Sequence, residues 1–220
     1  MSAPRGSGSG SVAERPSADE TYGEVWGQLV RASHDRHHEW RTPVLSSTGL
    51  DGTPQARTVV LRRADAARGQ LCFYTDRRSP KVHELRAFPV ASLVFWSRRL
   101  NWQLRLRVRI EVLEDGPVVE SAWAAVGQSH SAGDYLSASA PGDPILAAAM
   151  SRCADATLAG EKLDDSPAAS VTPEPGDLQG SSHFLAVLVA TVESIDWLEL
   201  SRAGHRRALF ADGSAQWRVP

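Results

Sequence analysis

The segment Tyr74-Thr75-Asp76-Arg77-Arg78-Ser79-Pro80-Lys81 sets two hydroxyls and a lysine where an apolar run hands over to a helical one. At such a junction the first N–H groups of the helix lack intrahelical acceptors and the helix dipole favours negative charge. A phosphate is the natural ligand, with Ser79 adding a hydrogen bond and Lys81 a charge. The same residues read equally well as a surface turn with solvated basic side chains. Arg57 and Arg62 flank the run Thr58 to Leu61. Their odd separation predicts opposite faces of an unbroken strand, so one can hold a phosphate while the other reaches a ring edge or substrate. The plainer alternative is that both are solvated strand ends.

Other polar clusters carry less. His34 and His38 have a spacing that would share a helix face, with His37 and Glu39 beside them, but no third ligand accompanies them and no metal site is expected. Gly127-Gln128-Ser129-His130-Ser131 imitates a nucleophile elbow without its final glycine. No residue stands out as a general acid or base, so the catalytic residues are left unassigned. Arg105, Arg107 and Arg109 read as the wet face of a strand.

Several elements must position these groups. Ser17 and Glu20 have capping-box spacing, and Tyr22, Val25, Trp26, Leu29 and Val30 then recur at helical intervals, which predicts a helix ending near His38. Thr42 to Thr48 and Arg57 to Arg63 form an expected hairpin across Asp51-Gly52, and Gln70 to Thr75 is the next strand. Ser79 should cap a short helix that Pro89 stops. Val90 to Trp96 returns as a strand. Trp102 to Leu113 alternates apolar residues with Gln103, three arginines and Glu111, the mark of a long two-faced antiparallel strand. Pro117 to Val126 reads as a helix, Gly127 to Asp143 as a polar loop, and Ile145 to Leu163 as a further helix. Phe184 to Glu199 is a long strand, broken or bent near Ser194. Arg206 to Phe210 and Ala215 to Val219 make a closing hairpin across Asp212-Gly213.

Strands joined by tight turns, without regular alternation with helices, point to a mainly β fold with some α: an antiparallel barrel with peripheral helices. Residues 1–16 read as a disordered tail and 17–220 as a single domain. The 24 Lys plus Arg nearly balance the 26 Asp plus Glu, and the net charge of -2 leaves no footprint for nucleic acid or an anionic membrane. The longest apolar run, Phe184 to Ala190, is too short to span a membrane as a helix. Two cysteines, Cys72 and Cys153, suggest neither a disulfide scaffold nor a thiolate metal site, and a cytoplasmic setting fits.

RTVVLR, FYTDRRSPKVHEL, the Gln103 strand and the ending IDWLEL with HRRALF together resemble the pyridoxamine 5'-phosphate oxidase-like FMN-binding split barrels, in a branch of unassigned substrate. The resemblance implies a split antiparallel barrel and an FMN-dependent oxidoreductase acting on a small molecule. It implies cofactor contacts from Arg57 with Thr58 and Val59, from Arg62 near the flavin and substrate, and from Tyr74, Thr75, Ser79, Lys81 and Gln103. Trp197 and Arg207 would complete the site at a homodimer interface. Three departures stand out. Pro80 replaces a basic residue, Ser139-Ala140 replace a glutamine and serine, and Ala203 stands near an arginine the oxidases use on substrate, although His205 matches a histidine. The alternatives are a deazaflavin- or haem-binding barrel, or a flavin carrier or redox sensor without catalysis.

Overall fold

The computed structural model describes residues 16–144 and 183–220; the tail up to Arg15, the helix expected over Ile145 to Leu163, and Cys153 lie outside the described residues. Helix α1, Ala18–His34, begins on the expected capping box. Glu20 N–H donates to Ser17 Oγ at 3.2 Å, and Ser17 N–H to the Glu20 carboxylate at 2.7 Å. Its buried face carries Val25, Trp26, Leu29 and Ala32.

The helix stops four residues earlier than its periodicity suggests. Asp35 takes an extended backbone and its carboxylate accepts the His37 N–H at 2.8 Å, a local turn that competes with the helix. His34 and His38 therefore do not share a helix face. His38 instead turns inward: the Trp40 N–H donates to Nδ1 at 3.1 Å, so the ring proton sits on Nε2 and meets Gln28 Oε1 at 3.0 Å. Burial pushes the His38 pKa down. A depressed histidine contributes stability that is complete above its unfolded value of about 6.5 and is lost as pH falls through the lower folded value. Acid unfolding curves of His38→Gln should therefore lose part of the slope below about pH 6.5 that the parent shows. Identical slopes would remove His38 from the acid response.

Among the described residues nine strands form one antiparallel sheet: β1 Val44–Thr48, β2 Pro54–Thr58, β3 Leu61–Asp65, β4 Gln70–Asp76, β5 Val90–Ser97, β6 Trp102–Leu113, β7 Leu185–Glu199, β8 Arg206–Ala211 and β9 Ser214–Arg218. Helix α2, Pro80–Ala87, lies between β4 and β5, and α3, Pro117–Val126, follows β6. The sheet runs β2-β1-β5-β6-β7-β4-β3, with the β8–β9 hairpin attached to β7. Its two terminal strands, β2 and β3, are consecutive in the chain with only Val59 and Val60 between them. The sheet therefore bends round until its ends meet, which is a barrel closed by covalent continuity and split between those two strands.

The single strand expected over Arg57 to Arg63 is corrected here. Its apolar, β-branched residues suit a continuous strand, but closure requires the chain to leave β1 and join β4 within two residues. Most other expectations hold. The strand β6 keeps its predicted limits and strict alternation, and Asp212 and Gly213 both take positive φ, 52° and 68°, in the tight turn between β8 and β9. The expected irregularity in β7 is a bulge at Glu193: Arg107 pairs with Ser194 and Val108 with Val192.

The barrel interior holds Leu45, Leu61, Phe73, Leu93, Phe95, Leu104, Leu106 and Trp197. Trp40, Trp102 and Trp197 pack in sequence, with ring centroids 6.3 and 5.2 Å apart. A second cluster lies outside, where Val119, Ala122 and Val126 of α3 cover Leu185 and Val187, with Cys72 and Tyr74 packed alongside. No helix among the described residues is long and apolar enough to cross a membrane.

Candidate cofactor site

Arg57 pairs across the sheet with Leu45, and Leu45 with Leu93, so its side chain belongs to the inward row of the barrel. It is held there by polar partners. Nη2 donates to Glu84 Oε2 at 2.8 Å and Nη1 donates to Ser47 Oγ, while the Ser47 hydroxyl donates to the same Glu84 oxygen at 2.6 Å. Glu84 is buried on α2, three residues after Lys81 and on the same helix face. The sequence reading missed Glu84 and Ser47; the three-residue step from Lys81 was the available signal for Glu84.

Lys81 completes the cradle. Its ammonium donates to Ser79 Oγ at 2.6 Å and to Thr75 Oγ1 at 3.1 Å, and both hydroxyl residues are buried. Ser79 occupies the helix N-cap, but its side chain makes no capping bond. The expected cap is thus corrected: the Ser79 hydroxyl accepts from the Lys81 ammonium instead of from the first helical N–H groups. Burial pulls the Lys81 pKa down, and the nearby Arg57 guanidinium pulls it further. Two cations are therefore held together at a helix N-terminus with Glu84 as the carboxylate bonded to one of them. An anion bound there should lose affinity as pH rises through the lowered Lys81 pKa, because its partner becomes neutral. Lys81→Arg, which stays charged, should flatten that decline in titrations from about pH 7 to about pH 10.

Arg62 stands across the split from Arg57. It is the extra residue of a bulge, because Leu61 pairs with Phe73 and Arg63 with Cys72. Its guanidinium lies 5.4 Å from the centre of the Tyr74 ring, and its buried Nε has no acceptor among the described residues. Burial raises the pKa of both Tyr74 and Tyr135, and Arg62 opposes that rise at each; Tyr74 packs against the cluster that holds Tyr135. Thr58 is exposed at the end of β2. Val59 is buried, its N–H bonded to the Pro43 carbonyl at 3.0 Å.

The remaining expected residues lie elsewhere. Gln103 pairs with Trp96 on one side and with Leu198 on the other, and Leu198 pairs with Arg207, so Gln103 and Arg207 stand in one row on the outer face of the sheet. Arg207 forks onto Asp196 at 2.9 and 2.7 Å. Arg105 also bonds Asp196, and Arg107 and Arg109 pair with Glu193, so the basic face of β6 is an ion-pair ladder. Trp197 points the other way and is fully buried in the core. Strand alternation explains this: it shares the inward row with Leu104 and Ala208, so within one chain its ring is not on the surface. The structure thus gathers Arg57, Thr75, Ser79 and Lys81, sets Arg62 and Tyr74 across the split, and leaves Gln103 and Arg207 on the outer face.

Residues 24–114 match the family model described as pyridoxamine 5'-phosphate oxidase, FMN-binding domain. Over those residues the chain is similar to the pyridoxamine 5'-phosphate oxidase-like family. Among curated oxidases of this family, the pyridoxine/pyridoxamine 5'-phosphate oxidase of Thermosynechococcus vestitus is 46% identical over 67 residues, 30% of this chain and 31% of the relative. The enzyme of that name from Burkholderia cenocepacia is 40% identical over 101 residues, 46% of each protein. The matched part of the chain spans 31% to 46% of the length of these relatives. Solved structures show the same split-barrel fold. A pyridoxamine 5'-phosphate oxidase-related, FMN-binding protein from Nostoc punctiforme superposes with a TM-score of 0.63 at 20% identity, covering 90% of this chain and 96% of that one. PhzG from Burkholderia lata, solved with tetrahydrophenazine-1-carboxylic acid, gives 0.62 at 18% identity, covering 95% and 98%.

Proposed function

We propose that this chain binds FMN and is an FMN-dependent oxidoreductase of unassigned small-molecule substrate. The observation that carries the reading is the cradle itself, in which Lys81 is buried beside Arg57 at the N-terminus of α2 with Ser79 and Thr75 oriented on its ammonium. Such an arrangement is unfavourable without an anion and well matched to a phosphate. Arg62, with a buried donor lacking an acceptor among the described residues, suits the electron-rich edge of a planar ring. The residues therefore fit a phosphorylated flavin, phosphate at Arg57 and Lys81, ring toward Arg62 and Tyr74.

When bound, FMN supplies two-electron redox chemistry, and the protein supplies position and electrostatics. Arg62 would stabilise negative charge at the ring, and Lys81 and Arg57 would neutralise the phosphate. A second copy of the chain is the proposed partner. Trp96, 45% exposed, and Val44, 36% exposed, lie on the outer sheet face that carries Gln103 and Arg207, and covering that face would bring both polar side chains into a shared site. Trp197 would then act from beneath, as packing under the strand pair that presents Arg207.

The test is the visible spectrum of the purified protein, with chromatography of the released ligand and sedimentation of the loaded form. A flavin spectrum, released FMN and a mass of two chains support the reading. A colourless protein that ignores FMN but takes up a deazaflavin or haem would overturn the cofactor and keep the fold.

A further inference from the structure

Arg78 ties together three pieces of chain that are remote in sequence. Its guanidinium forks onto the buried Asp76 carboxylate, Nε to Oδ1 at 3.1 Å and Nη2 to Oδ2 at 2.7 Å, and its own N–H reaches Oδ1 at 2.8 Å. The same guanidinium donates to the carbonyls of Ser137, Ala138 and Ser139 at 2.9, 3.2 and 3.3 Å. Its flat face covers the Phe184 ring at 3.4 Å, at the entry to β7. A planar fork is needed to serve all of these at once, so no other side chain substitutes.

The segment that Arg78 holds runs along the candidate site. At one end Tyr135 belongs to the cluster that Tyr74 packs against, and Tyr74 carries Arg62 over its ring; the Tyr135 carbonyl is bonded to the Phe184 N–H at 2.8 Å. At the other end Gly142 approaches Pro80, the first residue of α2, where a β-carbon would lie 3.7 Å from the ring. At that second end residues 140–143 line a cleft of about 530 Å3 together with Arg78, Pro80 and Glu84, and Glu84 is the partner of Arg57. Residues 135–143 therefore pass from the ring end of the site to its phosphate end, with their midpoint fixed by Arg78.

We propose that Arg78 is a positioning residue, whose guanidinium fixes residues 135–143 as a wall of the cofactor site and thereby slows escape of the bound ligand. The proposal rests on the flavin reading of the site. Its test combines hydrogen–deuterium exchange of the ligand-free protein with the FMN dissociation rate, for the parent, Arg78→Met and Arg78→Lys. Removing the arginine leaves Asp76 buried without its partner, so Asp76→Asn/Arg78→Met keeps the test alive if the single variant does not fold. Expected are faster exchange confined to residues 135–143, unchanged exchange in β5 and β6, and FMN release faster by about tenfold. Lysine should not rescue either readout, because a single ammonium cannot fork. Unchanged exchange in residues 135–143 overturns the proposal, and so does faster exchange with unchanged FMN release. Should the parent take up no FMN, the flavin reading fails on its own, and the exchange pattern alone then supports or overturns the anchor.

Discussion

Arg57→Ala should lower both folding stability and FMN affinity. Glu84 is buried, and its carboxylate is held by the Arg57 guanidinium and the Ser47 hydroxyl. Deleting the cation leaves that carboxylate buried without a counter-charge. Breaking such a pair costs about 3 to 5 kcal/mol; the Arg57 side chain keeps 23% exposure, which places the expectation near about 3 kcal/mol. Urea unfolding of the ligand-free protein measures the loss. Adding Glu84→Gln should restore most of the stability, because the orphaned charge disappears, while FMN affinity stays low. A double variant that recovered affinity together with stability would show that Arg57 serves the fold and not the ligand.

Lys81→Ala should separate the two properties in the opposite sense. The ammonium is buried beside a guanidinium, and both circumstances disfavour its charge, so losing it should leave the ligand-free fold as stable as before or more so. Affinity should fall, since a charged hydrogen bond to phosphate contributes about 1.5 to 3 kcal/mol, or roughly tenfold to 150-fold in the dissociation constant. Melting of the ligand-free variant and FMN titration measure the two effects. Unchanged affinity would remove Lys81 from the site.

Much of this arrangement was legible in the sequence because it depends on local rules. The alternation of Trp102 to Leu113 set the limits and faces of β6, and Asp212-Gly213 declared its turn. What was illegible depends on distant segments. Nothing in RTVVLR marks Val59 and Val60 as the split, because the break follows from which neighbours β2 and β3 pair with. The early end of α1 was missed because Asp35 competes for the backbone within a sequence whose periodicity runs on. In the site, the strand-to-helix junction revealed Ser79 and Lys81 but not what they touch. Ser47 meets Glu84 from 37 residues away, and Arg78 meets its carbonyls from about 60. The place of Trp197 follows from alternation, since Asp196 and Leu198 point outward and its ring goes to the core of the single chain.

Arg57 and Lys81 form the proposed phosphate cradle for a flavin. The most direct measurement titrates the ligand-free protein in parallel with FMN and with riboflavin, which differ only in the phosphate. FMN should bind at least about tenfold tighter, with that preference abolished in Lys81→Ala. Equal affinity for the two flavins, or a preference that survives loss of Lys81, would contradict it.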